Sequence, residues 1–394
     1  MKNYTNLEYA LAYLASVMVG GKKSIADFAA IGKELIKKPI MVSNLEQAKA
    51  ACLVKDTFDG IAKIALPIDT HVSFLLMQGA ATRCEMTLSN IGAINHSELL
   101  DTHTYLQKEL REQFPNVPEL PRKEFKKIPM QWGYNGEFKC LQTYGWEGQV
   151  AFREMYRRHF PNPEAFRIAI RDAWDDQAIN YRWTLPDGFQ AMTVIENGYE
   201  EYLFGFNGAS FTCYIKKNEA IQQKTSYGFA PGTLCMAANA THGLDGFGQR
   251  ELIRMADLTR AEALAILAKC KIGKESRTGL EEIAKKTNFY SAEWFYILRE
   301  HPQQITAEVH NALANLTQWL PEKRFDILAV HDEFACTVNH LNDLRVMFNY
   351  IVASIYRSNW GEYLKEVFHM DFPIGEFKES VYRKLINSEY LLRL

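Results

Sequence analysis

Apolar positions in the first sixty residues recur at helical spacing. The stretch LEYALAYLASVMVGG (7–21) reads as an amphipathic helix, with Glu8 interrupting any signal-peptide pattern. KELIKKPIMVSNLEQAKAACLV (33–54) reads as helical with a break at Pro39. The period then changes. IAKIALPID (61–69) is β-rich and ends on an acid, and the apolar run VSFLLMQGAATRCEMTL (72–88) follows it, so Asp69 falls at a strand-to-helix junction. Residues 97–116 predict a charged surface helix, and PNVPELP (115–121) a linker ending at a helix start. From 122 to 180 the pattern is helical and rich in aromatic and basic residues. Between 183 and 216 it has a period of two, with a Pro-Asp-Gly turn in TLPDGFQAM (184–192) and an Asn-Gly turn in YLFGFNGASFTCYIKK (202–217). A Gly/Pro-rich passage, GFAPGTLCMAANATHGLDGFG (228–248), precedes further helix to 320, in which Thr259 and Glu262 form a capping box.

The last pattern is ILAVHDEFACTV (327–338). Two strand-like arms, with Ile327, Leu328 and Val330 and then Phe334, Cys336 and Val338 as the buried-type positions, flank His331, Asp332 and Glu333. A carboxylate at the turn of a buried hairpin needs a matching cation, and a divalent metal is the match with chemical consequences. The alternative is a turn closed by side-chain hydrogen bonds from His331 and Asp332. Upstream, Arg122, Lys126 and Tyr134 in PRKEFKKIPMQWGYNG (121–136) are spaced to share one helix face. Two cations one turn apart suit a triphosphate, and an aromatic two turns on suits a base or sugar. A solvated basic face accounts for the same spacing, and Pro129 argues for a kink.

Composition narrows the classes without choosing among them. The 394 residues are 47% hydrophobic, enough for a large core and two or three subdomains. A net charge of -2 lacks the overall basic signature of many nucleic-acid binders, so local patches must do any such work. Seven scattered cysteines with no C-x-x-C pair indicate neither a zinc site nor a disulfide framework and fit a reducing cytoplasm. No run is long enough to span a bilayer.

Taken in order, the strand-end Asp69, then Arg122, Lys126 and Tyr134, then His331 and Asp332 resemble motifs A, B and C of polymerases with a right-hand palm and fingers. Within that superfamily the chain resembles the single-subunit RNA polymerases of bacteriophages and mitochondria. TLPDGFQAM resembles their Thr-Pro-Asp-Gly-Phe hairpin, GFAPGTLCMAANATHGLDG their segment with Asn and His before an Asp-Gly, and WLPEKRFDILAVHDEF (319–334) their run into motif C. The resemblance covers residues 60–250 and 303–345. It implies an α+β fold with an antiparallel palm sheet flanked by helices, the thumb and N-terminal domain missing. The division it implies is N-terminal helices (1–60) packing on palm or partner, palm with motif A (61–120), fingers with motif B and a β-hairpin region (121–250), a helical insertion (251–302), and palm with motif C and the C-terminal segment (303–394).

The activity implied is template-directed RNA synthesis, with Asp69 and Asp332 holding two Mg2+ ions about 3.5–4 Å apart. By the same resemblance, Lys126 faces the β,γ-phosphates and protonates pyrophosphate, Arg122 grips the γ-phosphate, Tyr134 lies against the incoming nucleotide, and His242 and His331 contact substrate near the nascent base pair. Asp59 is a fallback for Asp69. The implied partners are a DNA template, an RNA product, ribonucleoside triphosphates, an accessory single-stranded-DNA-binding factor, and a second subunit supplying the missing half. Two-polypeptide enzymes of this kind occur in N-four-like podophages, where the larger subunit would carry all three motifs and work in the cytoplasm of the infected bacterium.

Departures keep two alternatives open, a family A-like DNA polymerase fragment and a non-catalytic nucleic-acid-binding subunit with a retained palm fold. The run His331-Asp332-Glu333 is closer to the DNA enzymes. Phe74 stands where those carry a glutamate barrier against ribonucleotides, and Asn135 where the RNA enzymes carry glycine. In the insertion, LTRAEALAILAKCKIGKESRTGLEEIAKKTN (258–288) reads as two helices joined by a basic turn, either packed on a partner or the fingers, or acting as a helix-turn-helix.

Overall fold

The computed structural model describes residues 1–60, 64–94, 100–173, 180–194, 199–206, 209–216, 231–276, 278–302 and 304–393. Three helices open the chain: α1 (Asn6–Val19), α2 (Ile25–Leu35) and α3 (Leu45–Phe58). Thr5 and Glu8 form a capping box on α1, and Ser24 and Asn44 cap α2 and α3. Every residue from Tyr9 to Ala15 is buried, so α1 is a central helix here and not the amphipathic one its pattern predicts. Small residues on α1 and Gly32 on α2 allow this, since a Cβ at Gly32 would come within 2.2 Å of the Leu11 carbonyl oxygen.

Strand β1 (Ala65–Thr70) leads into α4 (Ser73–Ala81), followed by α5 (Glu85–Asn90), α6 (Thr102–Gln113), α7 (Arg122–Gly133), α8 (Phe138–His159) and α9 (Pro161–Asp172). Helix α7 runs on through Pro129 to Gly133. Two hairpins follow, β2 (Asn180–Thr184) with β3 (Gln190–Val194) and β4 (Tyr199–Phe206) with β5 (Ala209–Lys216). The Asn207-Gly208 turn expected in the second lies outside the described residues. The Gly/Pro-rich passage expected ahead of the next helix is itself helical from Pro231, because proline is tolerated in a first turn and the glycines serve close packing. A Cβ on Gly248 of that helix, α10 (Pro231–Ala256), would lie 3.2 Å from the Met77 side chain of α4.

Residues 251–302 continue through α11 (Arg260–Leu267), β6 (Lys271–Gly273), α12 (Glu281–Thr287) and α13 (Glu293–Glu300), and β7 (Gln304–Thr306) and α14 (Ala307–Thr317) follow. Strand β6 pairs in parallel with β7, Ile272 opposite Ile305, so a strand stands where a helix-turn-helix needs a turn. Helix α11 packs on α13 and α14, and α12 on α16 (Trp360–Phe368).

The remaining strands, β8 (Leu328–Val330), β9 (Glu333–Thr337) and β10 (Leu392–Arg393), join β1 in an antiparallel sheet of order β10-β1-β9-β8. Helices α15 (Leu341–Arg357), α16 and α17 (Glu379–Ile386) fill the C-terminal part, with the largely buried α15 packed against α4, α10 and α17. The fold is α+β, a helical body around a small antiparallel sheet. One expectation is corrected at the edge. Phe334, Cys336 and Val338 are buried, but Leu328 and Val330 are each 65% exposed, because β8 is the outermost strand and these two side chains share the face opposite to the core. Among the described residues no helix is long and apolar enough to cross a membrane.

One buried acid makes the fold sensitive to pH. Glu251 of α10 accepts hydrogen bonds from Ser291 Oγ (2.5 Å) and the Ala292 amide (2.6 Å) just before α13. Burial nonetheless pushes its carboxyl from an ordinary 4.5 up to about 7. The folded chain therefore holds this proton more tightly than the unfolded one, and stability falls as pH rises from about 4.5 to about 7. Glu251→Gln is expected to match the wild type in urea unfolding at pH 4.5. At pH 8 it should exceed it by about 1–3 kcal/mol. A variant less stable than the wild type at pH 8 would show that the ionised carboxylate is the stabilising form.

Candidate active site

The β1–β9 register runs from Ala65 opposite Thr337 to Asp69 opposite Glu333, and the Thr70 amide donates to the Asp332 carbonyl at 3.0 Å. Two acids far apart in sequence are thereby set beside each other at one end of the sheet. His331, exposed, takes a left-handed φ of 56° and closes the two-residue turn that presents Asp332. No hydrogen bond or ion pair joins either carboxylate to a described residue. Burial pushes Asp69 up to about 6, the charge of Asp332 adds to this, and Lys126 opposes it. Asp59 is exposed at the end of α3 and does not line the cleft around these acids. Past β1 the chain turns through Val72 at φ 49°, a left-handed conformation that is costly for a β-branched residue and marks strain beside the acids.

Helix α7 brings Lys126 and Met130 to the same cleft, and Tyr134 caps its C-terminus. The Tyr134 ring stacks on His242 of α10 (centroids 5.0 Å, 27° between planes) and meets Phe74 on its other flank (5.6 Å). Phe74 is buried beneath the helix, where a Cβ on Gly133 would come within 2.5 Å of its ring. Burial and the nearby Asp245 and Asp332 hold the Tyr134 phenol above its usual range. His242 is held below its usual value by burial and by His331. Asn135 sits at φ 63°, in the left-handed region that asparagine tolerates better than most side chains.

A buried network fixes this helix end. Arg167 of α9 donates to both Glu164 oxygens (2.6 and 2.8 Å), to Asn135 Oδ1 (2.9 Å) and to Glu137 (2.8 Å), and Trp132 Nε1 donates to Glu164 (3.0 Å). The Pro-Asp-Gly turn serves α10 in the same way: Asp187 accepts from Arg250 (2.7 Å) and Arg254 (2.8 Å).

Arg122 does not reach the cleft freely. It makes a fork to Asp101 with bonds of 2.6 and 2.9 Å, and although burial alone would raise Asp101, hydrogen bonds from Arg122 and Thr104 hold it well below the usual carboxylate range. Other cationic and basic groups line the cleft that sequence reasoning missed: Lys22 and Lys23 from the α1–α2 loop, His71, His103, and Arg393 from β10. Gly20 and Gly21, at φ 69° and 84°, shape the loop that delivers the lysines. Burial and Arg122 depress Lys22 to about 8, and burial brings Arg393 down to about 9 and His103 to about 3. Asp245, three residues beyond His242 on α10, is a further acid with no motif signal of its own in the sequence. Burial and Asp332 push it up to about 7.

Among the described residues there is no group of three or more His, Cys, Asp or Glu side chains able to cage a metal. Two unpartnered, mutually repelling carboxylates still fit magnesium, which keeps several waters and is commonly held by one or two carboxylates plus substrate phosphates. Neither a family model nor a curated protein matches the chain.

Proposed function

We propose that this chain is the catalytic subunit of a DNA-directed RNA polymerase that extends RNA on a DNA template by two-metal nucleotidyl transfer. The supporting observation is the convergence of Asp69, Asp332 and Lys126, from two strands and a separate helix, on a single cleft. In this reading the four-stranded sheet is the palm and α7 the nucleotide-facing helix of the fingers. Asp69 and Asp332 would hold two magnesium ions, which when bound supply Lewis acidity at the attacking hydroxyl and the leaving phosphate. Lys126 and Lys22 neutralise the triphosphate, and Lys126 is the proton donor to departing pyrophosphate. The Tyr134–His242 stack, backed by Phe74, gives the nucleotide a flat wall on which base and ribose can be read. Arg122 engages the γ-phosphate by exchanging the Asp101 carboxylate for it. A second polypeptide supplies much of the surface for template and product.

The test is extension of a primer on single-stranded DNA with Mg2+, ribonucleotides and deoxyribonucleotides in separate reactions, with the chain alone and co-expressed with the product of the neighbouring gene. Ribonucleotide incorporation by the co-expressed pair is the expected result. Deoxyribonucleotide incorporation would transfer the case to a DNA polymerase in which Phe74 excludes the 2'-hydroxyl by its bulk. No incorporation in any combination would leave a binding subunit.

A further inference from the structure

The C-terminal strand is built into the wall of the cleft. β10 pairs with β1 so that Arg393 is opposite Asp69 and Leu392 opposite Thr70, and the His71 amide donates to the Leu391 carbonyl at 3.0 Å. The tail leading to it is held from several sides. Asn349 of α15 donates to the Ser388 carbonyl (2.8 Å), Ser388 Oγ donates to the Ala93 carbonyl (2.7 Å), and buried Arg345 donates to Glu389 (2.8 Å). A terminal strand so anchored is a fixed part of the site.

What it presents is an incompletely used cation. Arg393 is 8% exposed, and its Nε and Nη1 donate to the Tyr390 and Leu100 carbonyls at 3.2 and 3.3 Å, while Nη2 is buried with no acceptor. In the same cleft His71 is 5% exposed and its Nε2 also lacks a partner. Buried polar groups without partners are costly unless something fills them. Arg122, the arginine that the motif order would assign to phosphate, is meanwhile committed to Asp101. Arg393 and His71 line the cleft together with Asp69 and Lys126, and an occupant with several anionic oxygens lying there would offer both side chains acceptors.

We propose that Arg393 and His71 form a diphosphate-binding wall that takes the β,γ end of the nucleotide before reaction and pyrophosphate after it. The inference rests on the polymerase reading for the identity of the ligand, and on the cleft alone for its anionic character. A guanidinium on a phosphate oxygen is worth about 1.5–3 kcal/mol, or roughly tenfold to a hundredfold in affinity.

Calorimetric titration of the full chain with inorganic pyrophosphate, a nucleoside triphosphate and the corresponding monophosphate, each with Mg2+, tests it. Arg393→Gln is expected to weaken pyrophosphate and triphosphate binding by about tenfold or more and monophosphate binding not at all. His71→Asn should weaken the first two by a few-fold, and Arg393→Lys should recover part of the loss. Should Arg393→Gln fail to fold, the lysine and His71 variants, checked by thermal melting, carry the same comparison. Unchanged pyrophosphate affinity in folded variants, or no pyrophosphate binding by the wild type, overturns the proposal. Arginine-dependent pyrophosphate binding without nucleotide incorporation under any pairing would keep the diphosphate site and remove the polymerase reading. Incorporation with a Michaelis constant indifferent to Arg393 would do the reverse.

Discussion

Asp332→Asn is expected to cut nucleotide incorporation by about a thousandfold or more while leaving the protein as stable as the wild type or slightly more stable. The two effects come from one geometry. Asp332 stands beside Asp69 across the β1–β9 pairing, and its charge helps to push both Asp69 and Asp245 above their usual range. Removing that charge relieves its repulsion with the neighbouring Asp69 and Asp245 carboxyls. In catalysis the same repulsion is the point, because it is relieved by divalent metal. A thousandfold loss corresponds to about 4 kcal/mol of transition-state stabilisation, a reasonable share for one of two metal-holding acids. Asp69→Asn should behave alike. Primer extension with the active pairing measures the first effect and urea unfolding the second. Incorporation within tenfold of wild type would remove Asp332 from the chemistry, and a large loss of stability would mean that the carboxylate is structural.

What could be read from the sequence was what local pattern controls. The junction of β-rich run and helix at Asp69, the two-residue turn at His331 and Asp332, and the helix that begins at Arg122 all have signals within a few residues. The apolar-periodicity reading went wrong where tertiary packing overrides it. Helix α1 carries enough small and apolar residues to be enclosed on all sides, and β8 carries valine and leucine on an exposed face at the sheet edge. Gly248 reads as loop punctuation in the sequence because its close approach to Met77 depends on a chain segment remote in sequence.

The basic side of the cleft was illegible for the same reason. Lys22 lies in a short glycine loop with no motif around it, and Arg393 in a two-residue strand at the very end of the described chain. The pairing of β10 with β1 sets Arg393 opposite Asp69, and the loop between α1 and α2 brings Lys22 to the same cleft. The Asp101–Arg122 fork was likewise hidden, because nothing in the sequence ties the N-cap of α6 to the first residue of α7. Of the resemblance's motif positions, Asp69, Lys126 and Asp332 line the cleft, Tyr134 and His242 stack on each other beside it, and Arg122 faces a carboxylate instead of open space.

The largest structural effect is expected from Arg167→Met. Arg167 and Glu164 are each 1% exposed, and the arginine joins Glu164, Glu137 and Asn135 while its guanidinium lies 4.9 Å from the centre of the Trp132 ring. Methionine fills much of the volume but leaves Glu164 as an unpaired buried charge, which costs about 3–5 kcal/mol. Glu164→Gln in the same chain should return most of that loss, since the neutral amide still accepts from Trp132 and no charge remains to be matched. The function should not return with it. Asn135 loses its hydrogen bond from Arg167 in either variant, and with it one hold on the turn at φ 63° that sets Tyr134 against His242. The double variant is therefore expected to melt near the wild type yet show a nucleotide Michaelis constant raised several-fold, about 1 kcal/mol of lost binding. If both stability and the Michaelis constant recover together, the arginine is only a buried counter-ion; if only stability recovers, it positions the tyrosine wall of the site.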